Sequence, residues 1–234
     1  MLKINKLNAW YGASHVLQGI DIDVGRGELV SLLGRNGAGK TSTIKCVMGL
    51  LTKATGSISF NGVDLLAQPA HKRFALGLAY VPEERRIVPG LTVLENIKLG
   101  ILASPRRRQE KQVIEEIADT FPRLKERLHQ QAVTMSGGEQ QMLAIARAVA
   151  ADPDMILLDE PSEGIMPVLV DEMFELFVKL KQAGKTILLV EQNVEAALAV
   201  ADRAYIIDQG QAVHTDTAAR LLADPAIQER YCAV

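Results

Sequence analysis

The sequence predicts an α/β protein with a mostly parallel sheet, an N-terminal antiparallel β subdomain and an inserted helical subdomain. Three observations support this fold class. Four short apolar runs have the composition of strands that are covered on both faces. Helical patterns alternate with these runs, as they do in parallel sheets. One helix-rich segment contains no such run and interrupts the alternation.

The antiparallel subdomain is predicted from the first two apolar segments of the chain. Residues 2–9 (LKINKLNA) and 16–24 (VLQGIDIDV) alternate apolar and polar side chains with a period of two. This period is typical of half-buried antiparallel strands. We therefore expect an antiparallel β subdomain at the N-terminus.

The parallel sheet is predicted from the four apolar runs and the helices near them. The runs are GELVSLLG, LAYVP, MILLDEP and TILLVEQ, and the helical patterns fall at 41–50, 167–182 and 194–202. Ligands of such sheets bind beyond the carboxyl ends of the strands. Near the end, AYIIDQGQAVHT predicts a hairpin that turns at Gln209 and Gly210, followed by a short helical tail.

The helical subdomain is placed at approximately residues 86–148. It contains the helix-rich segments TVLENIKLGIL and VIEEIADTFPRLKERL. The core with its antiparallel subdomain then comprises approximately residues 1–85 and 149–234. For the basic triplet Arg106–Arg108, a solvated loop is favoured over a contact with an acidic partner.

The composition fits one soluble globular unit. Of 234 residues, 48% are apolar, and the 28 acidic and 26 basic residues leave a formal charge of −2. This charge creates no overall basic field to attract nucleic acid or an anionic membrane. No apolar run approaches the roughly 20 residues that span a bilayer, and the N-terminus lacks a signal-peptide core, so we expect a cytoplasmic protein. We expect Cys46 to be a buried packing residue and Cys232 a tail residue rather than metal ligands.

The strongest chemical signal is GRNGAGKT, which fits the phosphate-binding motif G-x-x-x-x-G-K-[ST] between a buried run and a helix. Its glycines let backbone N–H groups face phosphate oxygens. Lys40 is expected to reach the β- and γ-phosphates, and the Thr41 hydroxyl to bind Mg²⁺. The alternative is a plain glycine-rich turn. The predicted nucleotide-binding residues here are Gly34, Arg35, Asn36, Gly37, Ala38, Gly39, Lys40, Thr41 and Ser42.

Two carboxylates end the run MILLDE. Alone they are a weak signal, because acidic residues often cap the helix that follows a strand. Beside a phosphate-binding loop they gain meaning, since nucleotide hydrolysis needs a carboxylate near Mg²⁺ and a group that deprotonates water. We expect Asp159 to be the metal-side residue and Glu160 the general base.

A third motif, MSGGEQQ, precedes the helical pattern MLAIARAVAAD. Ser136 is placed as an N-cap, and two glycines leave backbone donors uncovered, which predicts a second anion site at a helix N-terminus. One phosphate-binding loop has no use for two such sites in the same pocket. The second site is therefore expected to serve another chain.

These three motifs, in this order and with a helical segment between them, resemble the nucleotide-binding subunit of an ATP-binding cassette (ABC) transporter. The resemblance covers residues 1–234 as a single ABC ATPase domain with a P-loop NTPase (RecA-like) core. Within the family, VPEERRIVPGLTVLENI, MSGGEQQMLAIARA and LVEQN are similar to the LivF-type subunits of branched-chain (hydrophobic) amino-acid importers.

The resemblance implies a head-to-tail dimer with ATP between the P-loop of one subunit and the signature motif of the other. Tyr11 matches the aromatic that stacks on adenine, although it could be one exposed aromatic near an N-terminal strand. The signature residues expected to act in the partner's site are Ser136, Gly137, Gly138 and Glu139. The D-loop position is filled by Ser162, Glu163 and Gly164, which differ from the commoner SALD pattern.

Two positions depart from the family pattern. Glu83 follows Pro82 where glutamine is usual in the Q-loop; a carboxylate can reach Mg²⁺ or its water but cannot donate a hydrogen bond. Gln192 stands where the H-loop normally has histidine; its amide can donate to a γ-phosphate but cannot shuttle a proton. We expect Gln192 to sense the γ-phosphate, with capping of the next helix as the alternative.

The resemblance implies the ATPase subunit of a bacterial solute importer, with ATP and Mg²⁺ as cofactors. Its expected partners are transmembrane permease subunits, a second ABC ATPase chain (homologous or identical), and a solute-binding protein in the full system, with no nucleic acid. It would lie on the cytoplasmic face of the inner membrane, held by the permeases. The alternatives are a non-transport ABC ATPase that acts on nucleic acid or ribosomes, and a P-loop small-molecule kinase.

Overall fold

The computed structural model describes residues 1–224, which form two β-sheets with helices packed around them. The strands are β1 (Leu2–Tyr11), β2 (Ser14–Val24), β3 (Leu29–Leu33), β4 (Ala54–Phe60), β5 (Val63–Asp64), β6 (Leu78–Val81), β7 (Met155–Asp159), β8 (Thr186–Val190), β9 (Arg203–Asp208) and β10 (Gln211–Thr217). The helices are α1 (Lys40–Met48), α2 (Ala70–Ala75), α3 (Val93–Ala103), α4 (Glu110–Thr120), α5 (Pro122–Lys125), α6 (Gly137–Ala150), α7 (Pro167–Gln182), α8 (Val194–Val200) and α9 (Ala218–Leu222).

The larger sheet has six strands in the order β10-β9-β3-β8-β7-β6. All neighbours are parallel except β10, which returns antiparallel to β9. Every residue of β3, β7 and β8 is buried. The predicted parallel sheet is confirmed, and the segments that follow β3, β7 and β8 leave the sheet at one edge.

The smaller sheet is antiparallel, in the order β2-β1-β4-β5. Its first two strands are those that the alternating segments predict. The pattern analysis did not identify β4 and β5, because β4 begins with four residues that are not buried and shows alternation only at its end. The hairpin of β9 and β10 turns at Gln209 and Gly210, as predicted, and both have positive φ angles (47° and 79°).

The six-stranded sheet lies between two different layers. In β3, Leu29 and Leu33 pack into the core that contains residues of α6, α7, α8 and α9. Val30 and Leu32 point to the other side, into the core shared with α1 and the antiparallel sheet. Helices therefore lie on both faces of the sheet, and on the second face α1 shares the covering with the smaller sheet.

Between β6 and β7 the chain forms helices α3 to α6, in the region expected to be helical. Thr92 begins α3 with a capping box to Glu95, and α3 packs along α6. Of the basic triplet, Arg106 forms two hydrogen bonds to Glu116, each of 2.7 Å, which is the pairing of a solvated surface. Within residues 1–224 there is no helix with the length and apolar character needed to cross a bilayer.

The end of α1 is closed by a buried arginine. Arg73 donates from Nη1 to the carbonyl oxygens of Cys46 (2.7 Å) and Val47 (2.6 Å), so its charge lies where the helix dipole is negative. Cys46 is buried as predicted, and burial, opposed by the charge of Arg73, raises the pKa of its thiol to about 11. The prediction for Cys232 lies outside the described residues.

Candidate nucleotide-binding site

The glycine-rich loop connects β3 directly to α1. Its conformation requires glycine at two positions: φ is 143° at Gly34, where a Cβ would overlap the Ile207 carbonyl, and 114° at Gly39, where a Cβ would lie 2.8 Å from Leu17 Cδ2. Lys40 is only 3% exposed, and its Nζ donates to the carbonyl oxygens of Gly34 (2.8 Å) and Arg35 (3.2 Å). The loop therefore holds a buried cation beside backbone groups that can face an anion.

The end of β7 faces the first turn of α1. Thr41 Oγ1 donates to Asp159 Oδ1 over 2.7 Å, and the Tyr80 hydroxyl donates to Asp159 Oδ2 over 3.0 Å. Burial raises the pKa of Asp159, whereas these two hydrogen bonds oppose the rise. Burial, together with the charge of Asp159, also raises the pKa of Tyr80. The sequence interpretation did not include Tyr80.

The Thr41 hydroxyl and the Asp159 carboxylate form a pair of oxygen ligands that fits a magnesium ion. Asp159 is 2% exposed and forms no ion pair within residues 1–224. Hydrogen bonds from two neutral hydroxyls and the charge of Lys45 stabilise its carboxylate. Mg²⁺ in phosphate-binding sites typically takes one or two protein ligands and completes its shell with phosphate oxygens and water. No cluster of three or more His, Cys, Asp or Glu side chains with metal-binding geometry occurs among the described residues.

Glu160 lies between the phosphate-binding loop and the end of β8. Its backbone has a positive φ of 47°, and its N–H donates to the Val190 carbonyl over 2.9 Å. Its Oε1 is 3.6 Å from Lys40 Nζ, and its Oε2 accepts a hydrogen bond from Gln192 Nε2. The structure thus brings together Lys40, Glu160 and Gln192, which lie far apart in sequence.

The residues after β8 have separate partners. The side chain of Asn193 accepts a hydrogen bond from Ala196 N (3.1 Å) and caps α8. The alternative assignment of Gln192 as the helix cap is therefore wrong, because its amide is directed to Glu160. Glu191, which was not singled out as a site residue, is 1% exposed and accepts a hydrogen bond from the backbone N–H of Ser162 (3.0 Å).

Glu83 follows β6 and is exposed to solvent. Partial burial raises the pKa of its carboxyl group, and the negative charges of Glu160, Glu163 and Asp159 raise it further. These four carboxylates therefore interact electrostatically at the edge where β6 and β7 end. Such an acidic edge is suited to a bound cation, since a cation would lower the repulsion among them.

The signature motif forms the start of α6. Ser136 caps the helix: its Oγ accepts from Glu139 N (3.4 Å), and Glu139 Oε2 accepts from Ser136 N (2.9 Å). Burial opposes ionisation of Glu139, but hydrogen bonds from Ser136 and the charge of Arg127, 3.1 Å away, lower its pKa overall. The capping box fixes the first turn of the helix.

Both signature glycines have close neighbours. A Cβ on Gly137 would lie 2.8 Å from Arg85 Nη1, and one on Gly138 would lie 2.5 Å from Leu169 Cδ1. Arg85 also approaches the D-loop, because a Cβ on Gly164 would lie 3.9 Å from its Nη2. A cleft of about 530 Å³ is lined here by residues of the loop after β6, the signature helix and the D-loop. The structure therefore brings the signature to the D-loop and to Arg85, a residue that sequence reasoning did not identify.

Tyr11 lies at the end of β1 and is 47% exposed. The hairpin that carries it is fixed by Lys53 Nζ, which donates to the Gly12 carbonyl over 2.6 Å. The following strand passes the phosphate-binding loop, where Leu17 packs next to Gly39. An exposed aromatic side chain on this hairpin is compatible with stacking on a base, and its role stays a prediction.

The fold and this geometry define a P-loop nucleotide-binding ATPase. The sequence profile of the ABC transporter family matches residues 17–163, and the chain belongs to that family as an ABC ATPase subunit. The chain is 42% identical over 231 residues, 99% of both chains, to the high-affinity branched-chain amino acid transport ATP-binding protein BraG of Pseudomonas aeruginosa. It is 37% identical to the probable branched-chain amino acid transport ATP-binding protein LivF of Archaeoglobus fulgidus, over 95% of this chain and 94% of the relative.

Other relatives have a different cargo or a known structure. The lipopolysaccharide export ATP-binding protein LptB of Haemophilus influenzae is 35% identical over 99% of this chain and 96% of its own length. The solved ATP-binding subunit of an ABC transporter superposes with a TM-score of 0.82 at 31% identity, covering 93% of this chain and 90% of that one. The ADP conformation of the ABC cassette MJ1267 superposes with a TM-score of 0.83 at 26% identity, covering 98% of this chain and 97% of that one.

Proposed function

We propose that this chain powers an importer of branched-chain or other hydrophobic amino acids. The observation that supports this cargo is the 42% identity to BraG over nearly the whole of both chains. The second relative named for branched-chain amino acid transport, LivF, is 37% identical. The solute itself would be selected by permease and solute-binding subunits rather than by this chain.

In the proposed site, ATP binds with its phosphates against the loop of residues 34–42. Lys40 then exchanges the carbonyl oxygens of Gly34 and Arg35 for phosphate oxygens, which offer a full negative charge. Thr41 and Asp159 would hold Mg²⁺, with Glu83 contributing directly or through water. When bound, the ion neutralises charge on the phosphates. Tyr11 would stack on the adenine.

Glu160 is the proposed general base. Its carboxylate is held at two points, by the ion pair with Lys40 and the hydrogen bond from Gln192. This fixes an acceptor for the proton of a water molecule next to the phosphate-binding loop. Gln192 orients the carboxylate and presents an amide donor to the γ-phosphate, whereas the proton itself goes to Glu160.

A second ABC ATPase chain, homologous or identical, would complete the site. Ser136, Gly137, Gly138 and Glu139 would face the nucleotide of the partner, and the D-loop of residues 162–164 would lie at the dimer contact. The helical subdomain at approximately residues 86–148 and the Glu83 loop would contact permease subunits, which would hold the chain at the cytoplasmic face of the inner membrane. Closure on ATP and reopening after hydrolysis would drive transport.

Lipopolysaccharide export is the second candidate, because LptB relatives are 34–35% identical over most of the chain. It is less favoured because the identity to BraG is higher at equal coverage of this chain. Nucleic-acid binding is not supported by a formal charge of −2.

The cargo is tested in a strain that lacks this gene. Uptake of radiolabelled leucine at submicromolar concentration should fall in the deletion strain and return with the wild-type gene. It should also return with Glu195→Gln, which removes an exposed charge on α8, but not with Glu160→Gln. Unchanged leucine uptake together with impaired delivery of lipopolysaccharide to the outer membrane would replace the importer proposal with export.

A further inference from the structure

Glu191 is a buried carboxylate that the proposed hydrolysis does not use. It is 1% exposed at the end of β8, and none of the lysine, arginine or histidine side chains in residues 1–224 forms an ion pair with it. A buried charge without a cation needs several hydrogen bonds to persist. Its presence beside the site therefore requires an explanation from its contacts.

The contacts join two loops. Glu191 Oε1 accepts from the backbone N–H of Ser162 in the D-loop (3.0 Å), and Oε2 accepts from the backbone N–H of Gln192 (3.1 Å). Burial raises the pKa of Glu191, while hydrogen bonds from Ser162, Gln192 and Asn193 oppose the rise. The carboxylate is thus stabilised by N–H donors from both the D-loop and the end of β8.

Two further hydrogen bonds join the same two segments as the hydrogen bond between Glu191 and Ser162. The Glu160 N–H donates to the Val190 carbonyl, and the Gln192 amide donates to the Glu160 carboxylate. Residues 160–162 and 190–192 are therefore joined at three points. Of these three, the bond through Glu191 is the one that reaches the D-loop.

We propose that Glu191 is a positioning residue whose carboxylate clamps the D-loop to the end of β8, so that Gln192 and the D-loop move as one unit. The consequence for turnover rests on the proposed function, in which Gln192 faces the γ-phosphate and the D-loop faces the partner chain. A shift of Gln192 at the nucleotide bound to this chain is then transmitted through the D-loop to the contact with the partner chain.

Two substitutions at Glu191 test whether the D-loop is held by the two carboxylate oxygens or whether any polar side chain of this size is sufficient. Glu191→Ala removes both acceptor oxygens. Glu191→Gln keeps the size and one oxygen but places an NH₂ donor against a backbone N–H, so at least the hydrogen bond from Ser162 or the one from Gln192 is lost whichever way the amide is turned. Glu195→Ala is the matched control, because it removes the same charge four residues later at an exposed position.

The first measurement is amide hydrogen exchange by NMR in the nucleotide-free, full-length chain. The Ser162 amide should exchange roughly tenfold faster or more in Glu191→Ala, because it loses a hydrogen bond to a charged acceptor. In Glu191→Gln, faster exchange should appear at Ser162 or Gln192, and Glu195→Ala should match the wild type. Wild-type exchange at both amides in Glu191→Gln would overturn the clamp even if the alanine variant failed to fold.

The second measurement compares ATP binding and phosphate release. Glu191→Ala and Glu191→Gln should bind a fluorescent ATP analogue within about twofold of the wild type, since the phosphate-binding loop is untouched, while kcat falls about tenfold in the alanine variant. Faster exchange with unchanged kcat would overturn the coupling role and leave the ATPase proposal intact. A wild-type chain that releases no phosphate together with its partner subunit would instead refute the proposed function, and the exchange data would still decide whether the clamp exists.

Discussion

Replacing Gln192 with alanine should slow ATP hydrolysis without weakening ATP binding. The Gln192 amide donates to one oxygen of Glu160, and Lys40 lies 3.6 Å from the other. The substitution removes the neutral donor and leaves the cation in place. The carboxylate is then free to rotate toward Lys40, away from the position in which it can accept a proton from water.

The size of the effect follows from these two contacts. A hydrogen bond to a charged group contributes about 1.5–3 kcal/mol, and about 1.4 kcal/mol corresponds to a tenfold change in rate. Because Lys40 still compensates the charge of Glu160, the carboxylate is not left without a partner, and the lower part of this range applies. We therefore expect kcat to fall about tenfold. The KM for ATP should change less than about threefold, because Lys40 and the loop that bind phosphate are unaltered.

The assay is steady-state phosphate release by the chain together with its partner subunit. Asn193→Ala is the matched control: it removes the cap of α8 and should cost about 1 kcal/mol of stability while leaving kcat at the wild-type value. Unchanged turnover in Gln192→Ala would refute the role of the amide. Equal losses in both variants would assign the effect to a displaced start of α8.

Two other substitutions test the site, and a labelling experiment tests the core. Glu160→Gln should bind ATP with wild-type affinity but lower kcat at least about a hundredfold and accumulate an ATP-bound dimer in size-exclusion chromatography; normal turnover would remove Glu160 as the base. Tyr80→Phe should lower the free energy of unfolding in urea by about 1–3 kcal/mol, because it leaves Asp159 Oδ2 buried without its donor; an unchanged midpoint would contradict this. In a Cys232→Ser background, Cys46 should resist a thiol reagent at pH 8 and react once the chain is unfolded, because its thiol has a pKa of about 11 and is buried; rapid labelling of the folded chain would refute its burial.

The sequence predicted the groups that follow buried strands but not those that depend on strand order. Asp159 and Gln192 lie at or just after the end of an apolar run, and Lys40 follows one through the glycine-rich loop. Parallel strands bring such ends to one edge whatever their order. Tyr80 was missed because its partner Asp159 becomes a neighbour only when β6 pairs with β7. No pattern within a single strand carries that information.

Arg85 and the last strands of the small sheet were missed for related reasons. Arg85 meets Gly137 through a loop with positive φ at Arg85 and Arg86 (63° and 47°), which no residue type at these positions signals. β4 was missed because its exposed first half hides the alternation. In both cases tertiary contacts, rather than local propensity, determine the conformation.

The three polar residues after β8 have different tasks because the chain changes direction there. A strand directs successive side chains to opposite faces, so Glu191 and Gln192 point in different directions. Asn193 lies in the turn into α8 and has a third direction. Glu191 is therefore buried against the D-loop, Gln192 meets Glu160, and Asn193 caps α8. A neutral amide at the middle position suits this arrangement, because Glu160 already has a cation in Lys40. A protonated histidine there would compete with Lys40 for the same carboxylate, and each would weaken the other's contact with it.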